Sequence, residues 1–482
     1  MKANGTGFIN LRTGNGQTDT AFRIALGDIY GNIVPFQDGL LSASKPVLLA
    51  GMDYDTPWTR DAAIQAWNGI GLFFPEVSKN TLQSVLISDN GKVRIGGEYW
   101  DAIIWVTGAW QQYLVTGDKE FLQTAFDASV NSIRYFEETE YDSSLGLFRG
   151  AACYGDGIAA YTDAFARTNK GSSSIFHWPA NNPHLAAKTG EGLPMYALST
   201  NCLYCHAYRL IAHMTAELGI SPDPAWNQKA EKLKEAINAK LWNEQKGRYD
   251  YYLDPFGGCD AQEGLGQSFA ILLEIADSAQ AAAIMKNCFV TPAGMPCVWP
   301  SFSRYDTPGG QTFGRHSGTV WPHIQGFWAD AAKRSGRSAM MLRELELMQK
   351  HACVDAHFSE MYHPYTEKPY GGVQEWQGPI VEWKPCIRQT WSATAFLRVI
   401  LTDVFGMTFS PEGITFAPCV DASFASPGIQ GLVYRNRRLD ISITGGGERI
   451  ERFFINGREK SSPFLAKEEL EPEVFVRIDL AP

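Results

Sequence analysis

The chain has 482 residues, of which 45% are hydrophobic, 12% aromatic and 20% charged, with a formal net charge of −10. This content supports a large core with a smaller second unit, and excludes wholesale disorder. The acidic balance argues against nucleic acid or anionic membrane as the main partner and leaves a neutral ligand such as a sugar open.

Residues 1–50 are Gly-rich and mixed. They read as an N-terminal extended segment packed on the helical region after it, with "FRIALGDIYGNIVPF" (22–36) as its extended stretch. From 51 to 406 long helical segments alternate with irregular Gly/Pro/aromatic loops. A first helical pair is expected over 57–89. "GEYWDAIIWVTGAWQQYLVTG" (97–117) is apolar almost all round, which marks a buried helix ending at Gly117. Asp118 then caps a half-exposed helix through Leu122, Phe126, Val130 and Ile133.

The pairing recurs. The apolar run 195–219 precedes an amphipathic helix over 223–242, with Trp226, Ala230, Leu233, Ile237 and Leu241 on one stripe. "QEGLGQSFAILLEIA" precedes a helix near 278–288, and "GTVWPHIQGFWADAAKRSG" precedes "RSAMMLRELELMQKHA". A last buried helix is expected at 387–406, without a clear outer partner. Buried helices alternating with amphipathic ones predict a mainly α fold of two concentric layers, an (α/α)6 toroid. Eleven of its helices are visible. A solenoid is disfavoured because no 20–50-residue sequence period is present.

After Gly406 the texture changes. "LDISITG" (439–445) and "VFVRIDL" (474–480) alternate, and Asn456-Gly457 is a hairpin turn signal. Residues 407–482 therefore read as a small C-terminal β-sheet domain beside a 51–406 catalytic domain.

The nine cysteines are scattered. Cys202 and Cys205 form a CxxC inside a helical run, with no second pair at zinc spacing, so they read as reduced buried thiols. No metal or cofactor is expected. No run reaches the ~20 apolar residues of a membrane helix, and no signal peptide is visible. A cytoplasmic location is expected unless a signal was trimmed; the oligomeric state is not readable.

In a toroid the loops entering the inner helices gather at one end. Here they carry Trp58, Arg60 and Asp61; Glu98, Tyr99, Trp100 and Asp101; Asp156, Tyr161 and Asp163; Gln262 and Glu263; Arg315, His316 and Trp321; and Glu360, Tyr362, His363, Tyr365, Glu375 and Trp376. Carboxylates among aromatics from six segments have the composition of a carbohydrate pocket. Glycoside hydrolysis needs two carboxyl groups flanking the scissile bond, and no local motif supplies both.

"TPWTRDAAIQAWNG", "HSGTVWPHIQGFWADAA", "FSEMYHPYTEKPYGG" and "RQTWSATAFLRVI" occur in this order. They resemble landmarks of the six-hairpin glycosidases, the superfamily of glycogen-debranching α-glucosidases, trehalases, processing α-glucosidases and mannosylglycerate hydrolases. The likeness spans roughly residues 50–405. It implies an inverting hydrolase, with an acid in mid-chain and a base glutamate shortly before the last inner helix.

On that resemblance the base is Glu360, with Glu375 and Glu382 as rivals in the same loop. The acid is Asp156, with Asp163 as rival. The glycines flanking Asp156 allow a sharp turn; a plain β-turn is the other reading. Asp156 is expected to stay protonated through partial burial and neighbouring carboxylates. Inversion implies a carboxyl separation of roughly 6.5–9.5 Å.

The resemblance makes Asp61 a ligand of sugar hydroxyls, with Trp58 as a wall and Arg60 as a donor. A carboxylate favoured by the helix N-terminus is the alternative reading of Asp61. Tyr99, Trp100, Asp101, Glu263, His316, Trp321 and Trp376 complete the expected binding set. The implied substrate is an α-linked, gluco-configured di- or oligosaccharide attacked from its end. An α-L-rhamnosidase-like hydrolase is the nearest alternative. A sugar epimerase using His316 and His363, or a phosphorylase, is a further one.

Overall fold

The computed structural model describes residues 9–307 and 309–481. The first eight residues of the expected N-terminal segment lie outside them. Among the described residues, twelve helices have nine or more residues. They are α1 (Gly16–Gly31), α2 (Thr59–Trp67), α3 (Pro75–Ser84), α4 (Trp105–Thr116), α5 (Lys119–Thr139), α6 (Leu198–Glu217), α7 (Ala225–Leu241), α8 (Gly264–Leu272), α9 (Ser278–Asn287), α10 (Pro322–Arg334), α11 (Ser338–Asp355) and α12 (Thr390–Arg398).

The buried and the amphipathic helices play different parts. In α10 every residue from Pro322 to Ala332 is buried, whereas α7 buries Trp226, Ala230, Leu233, Ile237 and Leu241, one stripe at helical spacing. Six mostly buried helices contact one another in a circuit: α2 touches α4, α4 touches α6, α6 touches α8, α8 touches α10, α10 touches α12, and α12 returns to α2. The others back this circuit, with α3 against α2 and α4, α5 against α4 and α6, α7 against α6, α9 against α8, and α11 against α10.

Three expectations need correction here. The stretch 22–31 is helix, not extended chain. Asn15 caps α1 by accepting from the backbone of Gln17 and Thr18, and Ala21, Phe22, Ala25 and Ile29 fall on its buried face. The last inner helix does have a partner, since α1 packs on both α11 and α12. The missing twelfth helix is thus the first in the chain. The expected helix over 97–117 is also split: a single turn at Tyr99–Ala102 precedes α4. Its end is as expected, with Gly117 at φ 70° and Asp118 capping α5 by accepting from the Phe121 amide.

The strands of two sheets follow α12, except one. They are β1 (Asn10–Arg12), β2 (Met407–Ser410), β3 (Gly413–Phe416), β4 (Gly428–Tyr434), β5 (Arg437–Thr444), β6 (Ile450–Ile455), β7 (Arg458–Lys460), β8 (Phe464–Ala466) and β9 (Glu473–Leu480). The larger sheet has the order β1-β4-β5-β9-β6-β7 and the smaller β2-β3-β8. Only the β5–β9 ladder of these is parallel. Asn456 and Gly457, at φ 48° and 77°, make the two-residue turn between β6 and β7. In β9 the buried residues Val474, Val476, Ile478 and Leu480 alternate with more exposed ones, as a sheet with one covered face requires. The sheets rest on α4, where the Arg435 amide donates to the Val115 carbonyl at 2.7 Å.

Candidate functional site

The segments entering α2, α4, α6, α8, α10 and α12 carry the expected site residues. The longest are 149–197, which folds into short helices at Asp163–Arg167 and Trp178–Asn181, and 356–389, which carries a hairpin of Val373–Glu375 with Ile380–Glu382. The segments are laced together. Val320 and Tyr362 exchange backbone hydrogen bonds at 3.0 and 2.8 Å, the Arg315 amide donates to Val373 at 3.0 Å, and the Glu360 amide donates to Cys386 at 2.9 Å.

Arg60, the second residue of α2, organises one side. Its Nη1 donates to Asp101 Oδ2 at 2.7 Å and lies 3.5 Å from Glu98; its Nη2 donates to Asp156 Oδ2 at 2.9 Å. The guanidinium lies 5.3 Å from the centre of the Trp58 ring. Burial works against its charge, and Asp156, Asp101 and Glu98 more than restore it.

Arg315 organises the other side. A single nitrogen, Nη2, lies 2.9 Å from both oxygens of Glu360. Glu360 also accepts from the Cys386 amide at 3.1 Å and the Tyr54 hydroxyl at 3.4 Å. Arg315 is fixed by a bond from Nη1 to the Gly371 carbonyl at 3.1 Å and lies 5.6 and 5.7 Å from the Trp321 and Trp383 rings.

Asp61 follows Arg60 in α2 and feels the charges of both arginine-held carboxylates. It is 4% exposed and its Oδ1 has no hydrogen-bond partner among the described residues. Burial pushes its pKa up to about 7; Arg60 opposes this, and the charges of Glu360 and Asp156 add to it. His316 lies 3.6 Å from the other oxygen of Asp156 and stacks on Trp321 at 5.0 Å. Burial pulls its pKa to about 3, so the ring is neutral at physiological pH.

The expected protonation of Asp156 is contradicted. Burial raises its pKa, but the guanidinium of Arg60 first, and then that of Arg315, outweigh burial and hold the carboxyl below its ordinary value. The role of its flanking glycines also differs from expectation. Gly157 has an extended backbone, and a Cβ there would fall 2.6 Å from His316 and closer still to Gln374. A Cβ at Gly155 would fall 2.5 Å from the Tyr161 hydroxyl. These glycines permit close approach rather than a reversed turn.

The structure brings Trp58, Arg60, Asp61, Asp101, Asp156, His316, Trp321 and Glu360 together. Asp101 is fully buried, burial and Glu98 drive its pKa well up, and it buttresses Arg60 by accepting from Nη1. Four expected ligands lie apart or beneath. Tyr99 is 3% exposed, packed on Trp100 and Phe136, and Trp100 is fully buried. Glu263 is fully buried too and accepts from the Ser199 amide at 3.2 Å. Trp376, 47% exposed, rides on the hairpin with its ring against Trp383.

The rivals are otherwise engaged. Arg304 donates to Asp163 at 2.8 Å and to Glu375 at 2.9 Å, and the Tyr305 hydroxyl takes the second oxygen of Glu375 at 2.6 Å. Glu382 is exposed on the hairpin. His363 accepts from the amides of Tyr365 and Thr366, so it anchors its own loop. Sequence reasoning missed the grip of Arg315 on Glu360, and Tyr54 and Trp383 beside it. An arginine in "GRHSG" and a tyrosine four residues before Trp58 were the available signals, and neither is specific.

The family model of the mannosylglycerate hydrolase MGH1-like glycoside hydrolase domain matches residues 103–378. A mannosylglycerate hydrolase of Rubrobacter radiotolerans is 28% identical over 183 residues, covering 36% of this chain. The match spans 39% of that relative's length. Among solved structures, a GH63 mannosylglycerate hydrolase from Thermus thermophilus in complex with glucose has a TM-score of 0.58 at 13% identity, covering 79% of this chain and 99% of that one. A GH78 rhamnosidase of Bacillus sp. GL1 has a TM-score of 0.60 at 14% identity, covering 98% of this chain and 44% of that one. These two show likeness of fold. The family model takes in more than half of the chain, including Asp156, Arg315 and Glu360, and the chain belongs to the MGH1-like glycoside hydrolase family.

Proposed function

We propose that this chain is an inverting, exo-acting α-glycosidase built on an (α/α)6 toroid, with Asp156 as acid and Glu360 as base. Residues 51–406 form its catalytic domain and 407–482 its β appendage, while β1 joins the appendage and α1 the toroid. The observation that carries the reading is the pair of arginine-held carboxylates. Asp156 on Arg60 and Glu360 on Arg315 come from distant segments, and the charges of both act on Asp61.

Glu360 accepts the proton of a water attacking the anomeric carbon. Arg315, Tyr54 and the Cys386 amide fix its orientation. Asp156 gives a proton to the glycosidic oxygen from the opposite side. Arg60 holds Asp156 in its charged form. A sugar hydroxyl that takes up Arg60 Nη2 relieves that hold and lets the acid load its proton. Asp61 and Arg60 bind hydroxyls of the terminal sugar, Trp58 and Trp321 wall it, and neutral His316 stays beside Asp156 without competing as an acid.

The substrate is a small α-glucoside or α-mannoside. Mannosylglycerate enters the panel because the Rubrobacter relative is named for it. The test is a panel of aryl α- and β-glycosides, α-glucosyl disaccharides and mannosylglycerate, with the released anomer followed by NMR. Hydrolysis of an α-glycoside with the β-anomer appearing first is expected. Release of the α-anomer first would overturn inversion, and turnover of none would overturn the activity.

A further inference from the structure

Trp376 stands apart from the arginine-held carboxylates and takes no part in the chemistry above, yet its frame ties it to both of them. It sits on the hairpin of Val373–Glu375 with Ile380–Glu382. At the base of this hairpin the Arg315 amide donates to the Val373 carbonyl at 3.0 Å, and the Trp383 amide to the Gly372 carbonyl at 2.8 Å. Gln377 and Gly378, at φ 53° and 113°, make its two-residue turn, and the Trp376 amide donates across them to the Pro379 carbonyl at 2.7 Å. The ladder thus runs on to Trp376. At the tip the Gly378 amide donates to the Gly171 carbonyl at 3.1 Å, in the segment that also carries Asp156. The hairpin therefore reaches from the arginine that holds the base to the loop that carries the acid, and it is pinned at both ends.

Its two faces differ, because successive residues of a strand point to opposite sides. On one face Val373 packs with Ala159 and Tyr305, and Glu375 is held by Arg304 and Tyr305. Gln374 points the other way. It accepts from the Ala159 amide at 3.2 Å and lies against Gly157, the residue after Asp156, and His316. Trp376, two residues on, returns to the Gln374 face. Its ring meets the Trp383 ring edge-on, 5.4 Å away at 80°, and the Trp383 ring lies 5.7 Å from the Arg315 guanidinium. The two rings make an apolar corner beside the acid's loop, and its outer wall, Trp376, is about half exposed.

We infer that this corner is the leaving-group subsite, and that it selects a neutral ring, a second sugar or an aryl group, over a charged leaving group such as glycerate. A tryptophan face stacks on the C–H groups of a sugar or on an aryl ring, and a pinned hairpin presents that face with little ordering cost. The arginines around it are committed to carboxylates. Arg60 is held by Asp156 and Asp101, Arg315 by Glu360, and Arg304 by Asp163 and Glu375. A carboxylate in the leaving group would have to compete with those partners. The inference rests on Asp156 as the acid, since that role puts the departing oxygen on the hairpin's side.

The test uses full-length protein carrying Glu360→Gln, in which turnover is suppressed. Methyl and phenyl α-D-glucoside, the matching mannosides, maltose and mannosylglycerate are titrated by calorimetry; maltose against the phenyl glycosides separates a sugar ring from an aryl ring. A ring-bearing glycoside is expected to bind about fivefold or more tighter than the methyl glycoside of the same sugar, and mannosylglycerate no tighter than methyl α-D-mannoside. Adding Trp376→Ala should remove the gain and leave methyl glycoside binding unchanged, while adding Trp376→Phe, which keeps a flat ring, should retain most of it. Binding of none of the probes, no gain from a ring, or a gain that survives Trp376→Ala would overturn the inference. So would tighter binding of mannosylglycerate than of phenyl α-D-mannoside, or a loss that the methyl glycosides share equally. These titrations need no turnover, so a failure here strikes the subsite, and a failure of hydrolysis across the earlier panel strikes the activity.

Discussion

Arg315 reaches both oxygens of Glu360 through one nitrogen, 2.9 Å from each. With the Cys386 amide on Oε2 at 3.1 Å and the Tyr54 hydroxyl on Oε1 at 3.4 Å, it fixes the orientation of the carboxylate. Glu360→Gln keeps the shape and loses the acceptor charge. Turnover should fall by about 10²–10⁴-fold with the protein still folded, as read by steady-state kinetics and circular dichroism.

Arg315→Lys tests the grip itself. A lysine cannot hold Glu360 and the Gly371 carbonyl from one plane between Trp321 and Trp383. With the base misplaced, kcat should drop by about 10²-fold while KM changes little. An unchanged kcat would show that the orientation of Glu360 is set elsewhere.

Arg60 makes a prediction in pH. It is the first of the cations that hold the Asp156 carboxyl low. Removing a cation from a carboxylate raises its pKa, by about 1–3 units for an arginine contact. A general acid must be protonated, so kcat/KM falls as pH rises through its pKa. Arg60→Gln should therefore move the alkaline limb of the kcat/KM profile to higher pH. A limb that stays in place, or moves down, would remove Asp156 from the acid role.

Glu263 makes a prediction in stability. Burial pushes its pKa up to about 8 from an ordinary 4.5. Between those values the folded protein holds a proton that the unfolded chain has released. Its contribution to stability is therefore complete below pH 4.5 and is lost as pH rises toward 8, at about 1.4 kcal/mol per unit. Glu263→Gln removes this slope. The variant should lose less stability than the wild type between about pH 5 and 8 in urea titrations. Parallel curves for the two proteins would count against the burial argument.

Phe22 tests the corrected reading of the N-terminal segment. It is 1% exposed on α1 and lies 6.2 Å from the Phe73 ring. Phe22→Ala should cost about 3–5 kcal/mol, measured by urea denaturation. A loss well under about 1 kcal/mol would mean that α1 is an ornament on the helical circuit rather than part of it.

How legible was all this in the sequence? The alternation of buried and amphipathic helices was, because burial writes its period directly into residues such as Trp226, Ala230, Leu233 and Ile237. The loops that carry the carboxylates followed from it. α1 was not legible, because "GQTDTAFRIALGDIYG" mixes small and polar residues, and its helicity is decided by the Asn15 cap and by packing on α12. Protonation states were not legible either. Asp156 is governed by Arg60, 96 residues earlier in the chain, and no local pattern records that distance. Tyr99 and Glu263 show the converse: their type suits a sugar pocket, and only the packing reveals that they lie beneath it.

The docking of α1 on α12 has a consequence for synthesis on the ribosome. The helical circuit is sealed by α12 on α2, elements more than 320 residues apart in sequence, and β1 waits for β4. Until α12, which ends at Arg398, has left the exit tunnel, the emerging polypeptide is an open arc with the faces of α1 and α2 that pack on α12 uncovered. Such a protein depends on holding chaperones during translation more than its final compactness implies.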